Sequence, residues 1–147
     1  MFRLVLVTLA FVGFVAASIA LYYHFDGSGE AFCDVNDRFN CSVVYSSQYS
    51  YIAGVPVPVF GLFGYAFVIF AILNQARVSK ALSFSQKEYW QYGCFMVGFM
   101  FLFQSILTLV SMFLIQSYCL LCLLSQGTIT ALFVGVLLYW RSLHSDK

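Results

Sequence analysis

Four long stretches of mainly apolar residues constrain the fold of this chain more than any other feature. They cover about 2–23, 55–74, 89–116 and 118–140. A helix needs about 20 such residues to cross the hydrocarbon core of a bilayer, and a single segment that crosses must be helical to satisfy its backbone. Because 62% of the 147 residues are hydrophobic and only 9% are charged, the sequence predicts an all-α membrane protein. We expect one domain over residues 1–147, a four-transmembrane-helix bundle.

The first apolar stretch has some features of a cleavable secretory signal. Arg3 precedes the apolar run, and the small residues among 17–20 are typical of a cleavage site. The run is longer than the usual signal core of about 7–15 residues, and Tyr22 and Tyr23 are typical of an interfacial aromatic belt. We therefore expect a retained helix.

The charges between the spans predict the orientation of the bundle. With four spans, one side holds six of the seven basic residues: Arg3, Arg77, Lys80, Lys87, Arg141 and Lys147. The other side holds Arg38 and the acidic residues Asp26, Glu30, Asp34 and Asp37. Since basic residues concentrate on the cytoplasmic side, we expect a multi-pass inner-membrane protein with both termini in the cytoplasm. The first loop, residues 24–54, and the short connection between the third and fourth spans then lie outside.

Four of the five cysteines fall in these two outer segments. Cys33 and Cys41 lie in the first loop, and Cys119 and Cys122 form a Cys-x-x-Cys where the fourth helix begins. The compartment outside the cytoplasm permits disulfides. Cys94 is near the cytoplasmic start of the third helix, and we interpret it as a small buried hydrophobic residue.

The two outer pairs have different predicted chemistry. A Cys-x-x-Cys at a helix start places its first thiol near the positive end of the helix dipole, which lowers its pKa. The Cys33–Cys41 pair is on a polar loop that a soluble partner could reach, so electrons could pass between the pairs through a mixed disulfide. Two alternatives stay open: the cysteines could form inert structural disulfides, or they could bind a metal. The start of a lipid-facing helix is poorly suited to a metal site.

Several motifs resemble the vitamin K epoxide reductase family in its bacterial and archaeal branch. Their order and spacing match over nearly the whole chain. The matching pieces are Cys33-Asp34-Val35-Asn36, Cys41-Ser42-x-Val44-x-Ser46-Ser47, Gly54-Val55-Pro56-Val57-Pro58-x-x-Gly61 with Gly64-Tyr65, and Cys119-x-x-Cys122.

The resemblance implies a four-helix membrane bundle around a quinone pocket. It also implies a short helix on the outer membrane surface within the first loop, and the stretch 42–53 fits that place, with Tyr45, Tyr49 and Tyr51 suited to the interface. Prokaryotic members oxidise periplasmic thioredoxin-like proteins and pass the electrons to quinone. We expect the partner of this chain to be a separate protein, similar to disulfide-bond formation protein A.

Residue roles carried over from the family begin with the cysteines. Cys33 and Cys41 resemble the shuttle pair that takes electrons from the partner. Cys41 would exchange with Cys119, and the Cys122 thiolate would face the quinone. Ser47 matches a serine near the quinone.

The quinone site has further candidate residues. Gly61 and Tyr65 on the second helix are expected to line it, because a glycine allows a neighbouring helix or a flat ring to approach closely. Gln126 shares a helix face with Cys119 and Cys122, and we hypothesise that it donates a hydrogen bond to a quinone carbonyl. The alternative is an interhelical hydrogen bond, which we also favour for the polar stripe Gln104, Thr108 and Ser111 on the third helix.

These features together predict a quinone-linked thiol–disulfide oxidoreductase that needs no metal. Reduction of vitamin K epoxide itself is an alternative, but the chain has Gln126 where the vertebrate enzymes of the family have a tyrosine, and this difference argues against it. A structural membrane protein with inert disulfides is the alternative from another class.

Overall fold

The computed structural model describes residues 2–26, 33–36, 38–83 and 85–145. Six α-helices follow in chain order: α1 Phe2–Asp26, α2 Cys41–Ser46, α3 Val57–Leu73, α4 Gln75–Ala81, α5 Gln86–Val110 and α6 Leu120–Ser145. Between α2 and α3 lie a 3₁₀ turn, Gln48–Ser50, and a short hairpin of β1 Tyr51–Ile52 and β2 Val55–Pro56. A π-helical turn, Ser111–Ile115, extends α5. The predicted charge pattern also involves Glu30, Asp37 and Lys147, which lie outside the described residues.

The helical membrane fold predicted from the apolar stretches is confirmed. Within the described residues, three helical segments are long and apolar enough to cross a bilayer: Phe2–Asp26, Gln86–Ile115 and Leu120–Leu143. The fourth candidate joins α3 to α4, with a bend of 84° between them. The 17 residues of α3 extend about 26 Å at 1.5 Å per residue, slightly less than the bilayer core of about 30 Å. The structure therefore has three or four spans, and the count of four stays a prediction that depends on α3.

Small residues let α1 pack closely against α3. Helix α1 packs against both α3 and α6, and α5 packs against α6. The ring of Tyr65 lies so close to Gly13 that an added Cβ would be 2.3 Å from it. Gly61 of α3 comes within ordinary contact distance of the Ala17 side chain. Small residues at such crossings let membrane helices approach closely.

The outer surfaces of the helices expose large apolar side chains. Phe63, Phe95 and Phe113 are 70%, 75% and 76% exposed. A contiguous surface of this kind would be a liability in water, and it is the surface expected where lipid is the solvent.

Two prolines mark the start of α3. Pro56 is the residue before the helix and Pro58 is within its first turn, where a missing N–H costs little. The hairpin turn before it has Ala53 and Gly54 at φ of 51° and 80°, as two-residue hairpin turns require.

Candidate disulfide-exchange site

A short backbone bridge brings the two cysteine segments together. The Tyr118 N–H donates to the Arg38 carbonyl at 2.6 Å, and the Asn40 N–H donates to the Tyr118 carbonyl at 3.2 Å. These bonds form a parallel bridge between Phe39 and Tyr118. Because Cys41 follows Asn40 and Cys119 follows Tyr118, the bridge carries one cysteine of each pair to the same end of the bundle.

The four outer cysteines meet in one buried group of side chains. Cys33 and Cys41 form a disulfide, with their Cα atoms 5.9 Å apart. Cys119 and Cys122 are free thiols. We call this group the cysteine cluster, and Cys122 packs against its members, which are Ala20, Cys33, Cys41, Val44, Tyr45, Cys119 and Leu121. The structure thus brings both pairs together at one end of the bundle, and their position outside the cytoplasm stays a prediction.

The expectation that the loop pair would be exposed is wrong. Cys33 and Cys41 are both 0% exposed. The cause is the helix α2, whose residues Cys41, Val44 and Tyr45 are spaced at i, i+3 and i+4 and so share one face. That face is buried in the cysteine cluster, so the disulfide that includes Cys41 is buried as well.

Cys119 immediately precedes α6, and its sulfur accepts a hydrogen bond from the Cys122 N–H at 3.2 Å. The hydrogen bond from the Cys122 side chain does most to lower the pKa of Cys119. Burial opposes this shift, and the Tyr45 hydroxyl and the N–H groups of Cys122 and Leu121 add to the lowering. The structure thus gives the first thiol of the Cys-x-x-Cys the lowered pKa expected at a helix start.

Tyr45 is a site residue that the sequence analysis missed. It was expected at the membrane interface, yet it is only 7% exposed, and its hydroxyl lies 3.5 Å from the Cys119 sulfur. Tyr49 and Tyr51 are 41% and 48% exposed, as an interfacial position requires. The helical spacing of Cys41, Val44 and Tyr45 was the signal that could have identified it.

A cavity of about 70 Å³ lies beside Cys122, and we call it the Cys122 cavity. The segment after α2 contributes Ser47 to its wall, so the structure brings Ser47 and Cys122 together as the resemblance implies. The Ser47 hydroxyl donates to the Val44 carbonyl at 2.8 Å. The polar residues of the lining are Tyr45, Ser47, Tyr49, Ser50, Gln104, Thr108 and Ser111.

Gly61 and Tyr65 line a different cavity. This α3–α5 cavity has a volume of about 420 Å³ and shares Val57 and Gln104 with the Cys122 cavity, so the two adjoin. The Tyr65 hydroxyl donates to the Ser125 carbonyl at 3.0 Å and lies 2.9 Å from the Ser125 hydroxyl. The structure therefore separates the candidate quinone residues, since Ser47 is beside Cys122 while Gly61 and Tyr65 are not.

Gln126 makes the interhelical hydrogen bonds that were the alternative to quinone contact. Its side-chain nitrogen donates to the Ser105 hydroxyl at 3.0 Å, and its oxygen accepts from the Thr108 hydroxyl at 3.4 Å. It is not among the residues that line either cavity. Gln104, by contrast, lines both cavities, and its amide donates to the Cys122 carbonyl at 3.4 Å.

Cys33, Asp34 and Cys41 also form a compact group of atoms that could ligate a metal. The closed disulfide leaves neither cysteine with a thiolate, which is the form that binds metals. In this redox state the group is therefore suited to thiol–disulfide exchange, and the predicted lack of a metal is untested.

The apolar helices and the paired cysteines define a helical membrane protein with the parts for thiol–disulfide exchange. The model of the Vitamin K epoxide reductase family matches residues 4–137 of the chain, and the chain belongs to this family. The resemblance predicted from its motifs is thereby confirmed, and membership implies an oxidoreductase. No curated protein sequence matches the chain significantly.

Proposed function

We propose that this protein is a quinone-linked thiol–disulfide oxidoreductase. It reoxidises a separate thioredoxin-like protein in the periplasm and reduces a membrane quinone, which supports disulfide formation. The observation that carries the proposal is the cysteine cluster, where a disulfide and a pair of thiols pack together beside a cavity bounded by Cys122.

Electrons enter through the loop pair. A thiolate of the partner attacks the Cys33–Cys41 disulfide, and the second thiol of the partner completes the exchange, so the partner is oxidised and the loop becomes a dithiol. The Cys41 thiolate then attacks the oxidised Cys119–Cys122 pair at Cys119, and Cys122 leaves as a thiolate. Finally, Cys33 attacks Cys41 and releases Cys119.

The cysteines are in one of the states through which this cycle passes. A closed Cys33–Cys41 disulfide with free thiols at Cys119 and Cys122 is the state reached after two electrons have moved from the loop pair to the Cys119–Cys122 pair. Quinone, as the substrate, would accept those two electrons and two protons. Burial of the loop disulfide means that the Cys33 segment must move before a soluble partner can reach it.

The chemistry of the Cys122 cavity suits the carbonyl end of a quinone. Its volume of about 70 Å³ is below the roughly 300 Å³ of the smallest ligand pockets, so the molecule would extend into the adjoining α3–α5 cavity. The ring has an apolar body and two carbonyl acceptors, and the cavity offers apolar walls together with the Ser47 hydroxyl and the Gln104 amide. Ser47 and Gln104 would orient the ring, and Cys122 supplies the thiol nearest to it. Gly61 and Tyr65 would contact the part of the quinone that extends into the α3–α5 cavity.

The proposal also assigns the cysteine end of the bundle to the periplasmic side. In the described part of the chain, Arg38 is the basic residue near the cysteines. Arg3, Lys87 and Arg141 lie towards the opposite ends of α1, α5 and α6, and α4, which follows α3, contains Arg77 and Lys80. That asymmetry supports cytoplasmic termini by the positive-inside rule.

Quinone reduction driven by a reduced thioredoxin-like protein tests the function. We expect the purified protein in lipid to reduce quinone, and the Cys122→Ser variant to lose this activity. Cys94→Ser is the matched control, because Cys94 belongs to the helix core away from the cysteine cluster, and it should retain full activity. Full activity of Cys122→Ser would contradict the mechanism.

Two further outcomes decide between the alternatives. Quinone and vitamin K epoxide are supplied side by side, and preferential turnover of the epoxide would replace quinone reduction with epoxide reduction. Thiol trapping then follows the four outer cysteines as quinone is added or withdrawn. Cysteines that never change redox state would indicate a structural protein with inert disulfides.

A further inference from the structure

Tyr45 connects three parts of the site through one side chain. Helix α2 carries it four residues after Cys41, and the side chain is 7% exposed. Its hydroxyl lies 3.5 Å from the Cys119 sulfur, and the same side chain lines the Cys122 cavity. Helix α2 therefore holds Cys41 in place and also brings the Tyr45 hydroxyl close to the sulfur of Cys119, the residue with which Cys41 is proposed to exchange.

The hydroxyl can act as donor in this contact whenever Cys119 is a thiolate. A thiolate has no proton to give, so the hydrogen bond must then run from Tyr45 to Cys119. Burial raises the pKa of Tyr45, and the neighbouring Cys119 and Cys122 raise it further. The phenol consequently keeps its proton throughout the range in which thiols titrate.

We propose that Tyr45 is a positioning residue that stabilises Cys119 as the leaving thiolate when Cys33 resolves the Cys41–Cys119 mixed disulfide. This role rests on the proposed function. In that step the Cys33–Cys41 bond forms, the Cys41–Cys119 bond breaks, and the electron pair leaves on the Cys119 sulfur. The Tyr45 hydroxyl and the Cys122 N–H then share the new negative charge.

The chemistry of disulfide exchange explains why one hydroxyl matters here. A disulfide sulfur leaves faster when its thiol has a lower pKa. Loss of the hydroxyl should make Cys119 a poorer leaving group. The Cys41–Cys119 mixed disulfide would then persist longer, and a smaller fraction of the Cys119–Cys122 pair would become reduced. A purely structural role for Tyr45 predicts none of this when the ring is kept.

The first test measures Cys119 alone, in the absence of partner and quinone. Alkylation of Cys119 is followed against pH by mass spectrometry of its peptide in wild type, Tyr45→Phe and Tyr51→Phe. We expect the midpoint to rise by about one pH unit in Tyr45→Phe, as loss of one hydrogen bond to a charged group predicts. Tyr51→Phe is the matched control, because the Tyr51 side chain is 48% exposed, and its midpoint should equal that of wild type. Equal midpoints in all three proteins would overturn the proposal.

The second test follows the mixed disulfide during turnover. We expect Tyr45→Phe to accumulate the Cys41–Cys119 species and to reduce quinone more slowly than wild type. If wild type reduces no quinone but the Cys119 midpoint still shifts, the proposed function has failed and the hydrogen bond to the thiolate stands. If wild type is active and Tyr45→Phe accumulates no mixed disulfide, the leaving-group role is refuted while the proposed function survives.

Discussion

Gln104 and Gln126 are similar residues on facing helices, yet their side chains have different surroundings. Gln126 has partners on both polar atoms, Ser105 and Thr108 of α5. Gln104 makes one long hydrogen bond to the Cys122 carbonyl and lines both cavities. A buried amide with both groups satisfied has little left to offer a ligand, whereas Gln104 retains hydrogen-bonding capacity next to the thiols.

Substitution of these two glutamines separates stabilisation from quinone binding. We expect Gln126→Leu to lower the free energy of unfolding by about 1 kcal/mol, which is the usual contribution of an interhelical hydrogen bond in a membrane. The KM for quinone should change little. Gln104→Leu should raise KM several-fold at similar stability. Quinone titrations and thermal unfolding in detergent measure both, and an elevated KM in Gln126→Leu alone would restore the hypothesis that Gln126 contacts quinone.

Among the elements, the six-residue helix α2 has the largest effect on the site. Its N-terminus is held by the Asn40 side chain, which accepts from the Val43 N–H at 3.0 Å, and by Asp34, which accepts from the Ser42 N–H at 3.1 Å. A helix this short is unstable alone, so these contacts and its buried face keep it formed. The stability of α2 therefore controls how long the disulfide stays covered.

Loss of the Asn40 cap should expose the disulfide more often. Replacing a capping Asn by Ala costs about 1 kcal/mol, which corresponds to roughly a fivefold rise in local opening. We expect the Cys33–Cys41 disulfide of Asn40→Ala to be reduced about fivefold faster by a small thiol. Ser46→Ala is the control, because the exposed Ser46 hydroxyl only contacts the Val43 carbonyl at the end of the helix. Identical reduction rates in both variants would show that α2 does not limit access.

Sequence patterns predicted the secondary-structure elements better than the contacts between them. Apolar runs define the long helices because a bilayer requires about 20 consecutive apolar residues, and cysteine spacing indicated which sulfurs pair. The burial of the disulfide was missed because it depends on the bridge between Phe39 and Tyr118, which joins residues distant in sequence. The helical spacing of Cys41, Val44 and Tyr45 could have indicated that Tyr45 is buried, but not its partner Cys119, which is distant in sequence.

At the scale of the whole molecule, α3 decides the topology. The chain turns by 84° after α3, so α4 cannot lengthen this span and its 17 residues must cross alone. The buried pairing of α3 with α1 supports a crossing, because both helices then share the same depth. A full crossing would place β1 and α4 on opposite sides of the membrane.

Labelling from one side of the membrane tests that arrangement directly. Single cysteines are introduced by Tyr51→Cys, Ala76→Cys and Ser142→Cys, at positions that are exposed in the structure, in a background in which all five native cysteines are replaced by Ser. With four spans, an impermeant maleimide should label Tyr51→Cys in intact cells, and the other two only after permeabilisation. The reason is that Ala76 and Ser142 follow the second and fourth crossings, and so share the cytoplasmic side with the N-terminus. Labelling of Ala76→Cys in intact cells would contradict the four-span topology, and with it the arrangement in which the first loop and the α5–α6 connection meet at one end of the bundle.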